Sequence, residues 1–433
     1  MKKSVILLMI VLMTLSFSLS ANGQQASDES GPVSIEFWTH EDPNRDAIET
    51  RYVEEFMASH PDVTVNRVTH SSKKIFELVL TAFAANAGPD IFNMQIEQAY
   101  SYIVNERVAP VDYMAAGYTD AADMQEKYMD GSLDSVMVDG EVYGIPLELN
   151  NWAIYLNKRI FADAGLDAEK DYPKTWEEVA DISEKLVLRD GEIITRRGFD
   201  FRYPYYLISM TPMVEQLGGK LVSEDGKTAI IGDDAWIKFL TYMREWGPNG
   251  RNLGSPTYKN ARKLFNMDNN DMGMAMSGLY QGARIRNDNK EFFDSGDWMI
   301  IPYPTFENAV NDVACNFYGQ YYMVNAQNSD REIKTAWELT GYMMSHDEEY
   351  LKAVNIVPPT KKLMSSETFL NMPYSEVFVN DLARAHVVYT SENGAKMEEL
   401  VKEAVESVML GGIDPVQAHA TLKAKAQELL NEL

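Results

Sequence analysis

Apolar positions along this chain recur at two spacings, every second residue and every third or fourth, and their alternation lays out the architecture. Val33-Ser34-Ile35-Glu36-Phe37-Trp38 alternates as a half-buried strand, after which Ile48, Tyr52 and Phe56 repeat at helical spacing up to Pro61. A second strand starts at Val63-Thr64-Val65. Ser71 or Ser72 is placed to cap the next helix, whose apolar face is Ile75, Val79 and Phe83, and Gly88-Pro89-Asp90 turns the chain into a third strand at Ile91-Phe92-Asn93-Met94. Strand, helix, strand, helix, strand in this order demands a parallel arrangement with covering helices, and such sheets bind ligands beyond the carboxyl ends of their strands. The residues past those ends are the first candidates: Trp38 to Glu41, Ser71 and Ser72, and Asn93 to Gln98, with Trp38, His40, Glu41, Ser72, Glu97 and Gln98 foremost.

Further on, Met137-Val138-Asp139-Gly140-Glu141-Val142 calls for a tight two-residue hairpin, followed by Pro146 and the apolar run Trp152 to Leu156. Hairpin, proline and one long extended segment are how a chain leaves one compact lobe and enters another. Thr175 and Glu178 form a capping box for the helix 173–188. Asp225-Gly226-Lys227-Thr228 ends like a phosphate-binding loop, yet no glycine lies five residues before Gly226, so the reading is a hairpin turn. Trp236, Phe239, Leu240 and Met243 mark another helix, and Asp414-Pro415 opens a last one with Leu422, Ala426, Leu429 and Leu433 along one face.

Four pieces then fall in a telling order: Y-G-I-P at 143–146, I-Y-L-N-K at 154–158, A-G-L-D at 164–167 and P-K-T-W-E-E at 173–178. Together they resemble the extracellular solute-binding proteins of ABC importers, in their sugar-binding, maltodextrin-binding-like branch. The Phe37-Trp38 opening, the A-G-P-D-I turn at 87–91, and Gly273 to Tyr280, with tyrosine where the family often has tryptophan, are similar too. This resemblance implies an α/β fold of two lobes, of the type II periplasmic-binding-protein kind, each a mainly parallel sheet flanked by helices, joined by a multi-segment hinge. The expected division is a signal peptide at 1–23, first-lobe segments at 24–149 and 304–355, and second-lobe segments at 150–303 and 356–433. Ile300 to Pro304 then reads as the second crossing, Asn316 to Val324 as the strand returning to the first sheet, Ile333 to Met344 as a helix packed there, and Asn355 to Lys361 as the third crossing.

Composition narrows the setting. A length of 433 residues suits two lobes, and a formal charge of −26 disfavours nucleic acid or anionic lipid as partner. Met1-Lys2-Lys3, the apolar run Val5 to Leu15 and the small residues Ser16 to Gly23 read as a secretory signal, with a polar leader to Gly31. The sole cysteine, Cys315, excludes an internal disulfide and leaves none after the signal for lipid attachment, so the expectation is a free periplasmic protein.

Reactive constellations are missing at the level of motif: no G-x-S-x-G, H-E-x-x-H, C-x-x-C or G-x-G-x-x-G occurs, and the histidines never fall at metal-ligand spacing. No cofactor and no metal is expected. A sugar site needs flat apolar faces and directional hydrogen bonds to hydroxyls. Trp38, Trp152, Tyr280 and Tyr318 are the candidate platforms; His40, Glu41, Ser72, Glu97, Gln98, Asn150, Ser209 and Ser277 are the polar candidates, and Gly319 would let backbone approach the ligand. Asn150 stands where the resembled family places a polar ligand contact, here an amide instead of a carboxylate. The resulting expectation is a monomeric, non-enzymatic receptor that closes on a mono- or oligosaccharide and delivers it to a membrane permease. Alternatives are a polyol, a glycerophosphodiester, a polyamine or an acidic sugar as ligand, or a secreted glycoside hydrolase. Clustered arginines would mark an anionic solute, with Arg202, Arg262, Arg284, Arg286 and Arg384 as the candidates.

Overall fold

A computed structural model describes residues 31–71, 74–203, 205–255, 261–267 and 271–432. The expected signal segment 1–23, the leader up to Gly31, Ser72, and the side chains of Gln98 and Arg262 lie outside what is described. Two five-stranded sheets, each flanked by helices, form two lobes. In the first the spatial order is Val63–His70, Val33–His40, Ile91–Gln95, Tyr318–Val324 and Ile145–Asn150; in the second it is Trp298–Ile301, Ala153–Asn157, Met272–Ser277, Ile193–Asp200 and Leu188–Asp190.

Both sheets are mixed where mainly parallel ones were expected. Val33–His40 pairs in parallel with both of its neighbours, but Tyr318–Val324 runs antiparallel to Ile91–Gln95 and to Ile145–Asn150. In the second sheet only Met272–Ser277 with Ile193–Asp200 is parallel. The cause is the crossing of the chain between lobes: a strand that arrives from the other lobe need not follow a right-handed helical crossover, so it can enter in the opposite direction.

Local chemistry accounts for the elements. Val33, Ile35 and Phe37 point into the first core while the even-numbered Ser34, Glu36 and Trp38 between and after them face outward. Asp139 and Gly140 both take positive φ, 51° and 87°, as a two-residue turn between Met137–Val138 and Glu141–Val142 requires. Thr175 and Glu178 make the reciprocal capping box of helix Trp176–Leu186. Ser71 caps no helix through its side chain; its backbone carbonyl instead accepts from the amides of Lys74 and Ile75.

Helix Pro43–Ser59 turns Tyr52 and Phe56 inward as its apolar spacing indicates, rotated far enough that Arg45 and Glu49 are buried beside them. Ile48 is only half-buried, and the buried set is Arg45, Glu49, Tyr52, Val53 and Phe56. An ion network fixes that rotation. Arg45 Nε lies 3.2 Å from Glu49 Oε1, Arg67 Nη2 lies 2.6 Å from Glu49 Oε2, and the Tyr322 hydroxyl donates to Glu49. The helix is thereby tied to the strands Val63–His70 and Tyr318–Val324 at once.

The chain crosses between lobes at Asn150–Trp152, at Asn316–Phe317 and around Asn355–Pro359. The second crossing corrects the boundary expected at 303/304. Tyr303, Phe306, Ala314 and Cys315 are buried in the second lobe's core, and Tyr303 donates its hydroxyl to the Ser209 carbonyl at 2.8 Å, so residues 304–315 belong to the second lobe. Helices Gly394–Met409 and Pro415–Leu430 complete that lobe, the latter capped by Asp414.

The buried network around Glu49 yields a first prediction. Removing one member of a buried ion pair costs about 3–5 kcal/mol because the partners keep uncompensated charge. Glu49→Ala, which strands Arg45 and Arg67, is expected to lower the unfolding free energy by about that amount in denaturant titrations; a loss below about 1 kcal/mol would show that the network is not a structural anchor.

Candidate functional site

Between the lobes lies a cleft with a cavity volume of about 100 Å³, lined from the first lobe by His40, Glu41, Asp42, Ile75, Asn93, Met94, Gln95, Glu148, Gln320 and Ile356, and from the second by Arg202, Tyr205, Tyr280 and Arg284, with Tyr318 just past the second crossing. His40 to Asp42 follow the strand Val33–His40, Gln95 ends the strand Ile91–Gln95, and Arg202 and Tyr280 follow Ile193–Asp200 and Met272–Ser277. Both sheets therefore present carboxyl ends to the same space, where an open α/β sheet binds its ligand.

Of the two arginines that line it, one is paired with a carboxylate and one is left over. Asp42 caps helix Pro43–Ser59, accepting from the amide of Asn44 at 3.0 Å, and also accepts from Arg284 Nη2 of the second lobe at 2.7 Å. Burial alone would raise its pKa, but Arg284 outweighs that and holds the carboxyl below its usual range. His40 bonds Asn93 Oδ1 through Nδ1 at 2.9 Å, and burial together with Arg45 keeps its pKa well below the ordinary value, so the imidazole is neutral. Glu148 accepts from Asn150 Nδ2 at 2.9 Å; burial pushes its pKa up to about 7, against the pull of Arg45 and Arg284. Arg202 lies flat on Trp152, its guanidinium carbon 4.0 Å from the ring centre, and Arg284 sits 4.6 Å from the centre of Tyr280.

Of the residues singled out from sequence, His40, Glu41, Tyr280 and Tyr318 line the cleft. The others are placed elsewhere. Trp38 packs edge-on against His70 at 4.7 Å, beside the first sheet. Trp152 is fully buried in the second lobe's core with its Nε1–H donated to the Tyr318 hydroxyl, so it is no open platform. Asn150 is turned from the cleft toward an apolar groove behind the hinge and reaches the site only by holding Glu148. Ser209 is buried and donates to the Tyr205 carbonyl, whereas Ser277 accepts from Arg202 Nη1 at 3.0 Å. Gly319 makes room for the Tyr321 ring, which an added Cβ would meet at 2.3 Å. Glu97 is buried where helix Ile96–Val104 faces Gly394 of the second lobe, outside the cleft lining.

Asn93, Met94 and Gln95, in the stretch expected past the third strand, line the cleft as well, whereas spacing gave no hint of Asp42, Glu148, Tyr205, Gln320 or Ile356. Asp42, ahead of Pro43, carries a helix-cap signature that could have been read. Arg202 and Arg284 had been marked, correctly, only as arginines to be placed.

The family profile described as bacterial extracellular solute-binding protein matches residues 42–350. The chain belongs to that family. This solute-binding protein is 25% identical over 302 residues to the arabinooligosaccharide-binding protein of Halalkalibacterium halodurans, covering 65% of its own length and 61% of that protein's. To the maltotriose-binding protein of Pyrococcus abyssi it is 26% identical over 422 residues, 95% of this chain and 84% of the other. Its fold is shared by the maltose/maltodextrin-binding domain of Bdellovibrio bacteriovorus bound to maltotriose, at TM-score 0.77 and 17% identity over 92% of this chain and 100% of that one. UgpB from Mycobacterium tuberculosis in complex with glycerophosphocholine superposes at TM-score 0.76 and 16% identity, covering 93% and 99%. These likenesses bear out the two-lobe α/β fold.

Glu97 supplies the second prediction. Burial, with Glu398 opposite, pushes its pKa up to about 8 from an ordinary 4.5. The folded state therefore binds the proton more tightly than the unfolded chain, and stability falls as pH rises from about 4.5 to 8 and is level beyond. Glu97→Gln removes this dependence: the variant should match the parent near pH 4 and exceed it by about 3–5 kcal/mol at pH 8, at about 1.4 kcal/mol per pKa unit. Equal stability of the two proteins at pH 8 would refute a buried, protonated Glu97.

Proposed function

We propose that this protein is the receptor of an ABC importer, which binds a carbohydrate in the interlobe cleft, closes by hinge motion and hands the solute to a membrane permease. The observation that carries the reading is a cleft lined from both lobes by hydrogen-bonding side chains at sheet carboxyl ends, in a chain of the solute-binding family. Relatives named for arabinooligosaccharide and maltotriose support a saccharide over other solutes. Asn93, Gln95, Gln320 and Glu148 offer the acceptors and donors that hydroxyls need, and Tyr205, half-buried on the second lobe, offers an aromatic face.

A receptor needs no covalent step. The reading is non-enzymatic: of the three carboxyls that line the cleft, Asp42 is engaged by backbone amides and Arg284, Glu148 accepts from Asn150, and Glu41 is exposed to water instead of being held opposite a second carboxyl by the fold. A monomer, secreted by the apolar leader and free in the periplasm, fits the acidic surface and the polar residues that follow the leader.

Thermal-shift screening against a carbohydrate panel tests this. A saccharide present at 100 times its dissociation constant adds about 2.7 kcal/mol of stability and should raise the melting temperature by several degrees. Chromatography of the recovered saccharide should show it unchanged; cleavage products would replace the receptor by a hydrolase, and a panel without any stabilising sugar would remove the carbohydrate assignment.

A further inference from the structure

Arg202 is the charge left over. Its backbone sits at φ 60°, the left-handed region that non-glycine residues enter at a cost, and its side chain is 7% exposed at the cleft wall. Trp152 lies under its guanidinium at 4.0 Å, with Tyr205 and Tyr280 each at 5.5 Å. Of its five N–H donors one is used, Nη1 to Ser277 Oγ at 3.0 Å, while Nε is buried without a hydrogen-bond partner. Among the described residues no carboxylate stands within ion-pair distance of it; Asp200, two residues back, accepts from its backbone amide at 3.1 Å instead. A guanidinium cannot shed its proton, so a buried one without counter-ion is costly until an anion arrives.

The other guanidinium groups near this space are paired with carboxylates, and among the described residues Glu41 is the cleft carboxyl without an ion-pair or hydrogen-bond partner, on the solvent-exposed side. Arg284 is neutralised by Asp42 at 2.7 Å, Arg45 by Glu49 at 3.2 Å, and Glu41 is exposed. His40 is neutral, and Glu148, tied to Asn150, has its pKa raised to about 7 by burial. The faces of Trp152 and Tyr280, on which a neutral sugar ring would stack, are occupied by the two guanidinium groups. What the second lobe offers the solute is therefore the edge of a planar cation.

We infer that the solute is an acidic saccharide carrying one carboxylate in the cleft, a uronate, received in fork geometry by the free edge of Arg202 and held in register by Ser277. The inference rests on the carbohydrate reading above and deepens it. One uncompensated positive charge matches a carboxylate better than a phosphomonoester, which brings about 1.5–2 negative charges. The overall formal charge of −26 does not oppose it, since charges farther than about 8 Å are screened at physiological ionic strength while the cleft is enclosed.

Calorimetry with digalacturonate and trigalacturonate, set against the neutral galactobiose and maltotriose and against glucose 6-phosphate and glycerophosphocholine, decides the matter. In the parent protein a uronate should bind at least about 10-fold more tightly than its neutral counterpart, and more weakly as salt is raised. Arg202→Gln should cost about 100-fold in uronate affinity and leave neutral saccharides within a few-fold; Arg202→Lys should recover part of the loss. Ser277→Ala, a change that leaves the guanidinium in place, should weaken uronates several-fold without moving neutral sugars. Binding of neutral saccharides as tight as that of uronates, or preference for either phosphate compound, overturns the inference while leaving a carbohydrate or solute receptor standing. Failure of every saccharide, acidic and neutral, overturns it together with the reading on which it rests.

Discussion

One contact governs how the two halves of this protein relate: Arg284 of the second lobe reaches across the cleft to Asp42 at the head of the first lobe's helix. Asp42 is placed by the backbone it caps, so its position is set by the helix before any partner arrives. Asp42 is buried while the Arg284 side chain stays 33% exposed, so the attraction is partly screened by water and is offset by the hydration that Asp42 gives up. That near-balance is what a receptor requires. A bridge that was strong outright would lock the lobes together, and one that was absent would leave closure to the solute alone. Poised between these, the hinge responds to a solute that touches both lobes, because only the closed arrangement gains its second set of contacts.

Aromatic residues in the second lobe serve a different purpose from the one their positions suggest. Trp152 follows the first crossing and is carried straight into the core, where Tyr205 and Tyr318 pack edge-on against it at 5.5 and 5.7 Å. Its face becomes the bed for Arg202. Tyr280 does the same for Arg284. A guanidinium laid on an aromatic face cannot turn freely, so its donors keep one plane, and the entropy of orienting them is lost on folding instead of on binding. The left-handed backbone of Arg202 is part of the same arrangement, since it aims the side chain back across the tryptophan.

Much of the framework was legible in the sequence because it rests on local rules. Alternation marked the strand at Val33, the Asp139-Gly140 pair marked a turn that needs two positive φ values, and Thr175 with Glu178 marked a helix start. Failures came where a distant partner overrode the local pattern. The apolar spacing of helix Pro43–Ser59 placed Tyr52 and Phe56 correctly, but it gave no sign that Arg45 and Glu49 would find partners inside and be buried beside them while Ile48 is left half-buried. Glu148 and Gln320 were invisible for a related reason: a polar residue in a strand reads as a solvated position unless one knows that the strand end opens on a second lobe. Likewise Gly319 looked like room for a ligand, and only the Tyr321 ring across the bulged strand explains it.

Three crossings, at Asn150–Trp152, Asn316–Phe317 and Asn355–Pro359, have a mechanical consequence for the cleft. A single linker would let one lobe swivel in any direction, whereas three segments side by side leave rotation about the line through them as the one soft motion. Residues near that line move least. Glu148 and Tyr318 sit next to the first two crossings, and Ile356 lies in the third, so this wall of the site is kept while the lobes open. Arg284 and Asp42 belong to different lobes, and both interact electrostatically with Glu148 beside the first crossing, so a rotation that parts the lobes also changes the charge around that carboxyl.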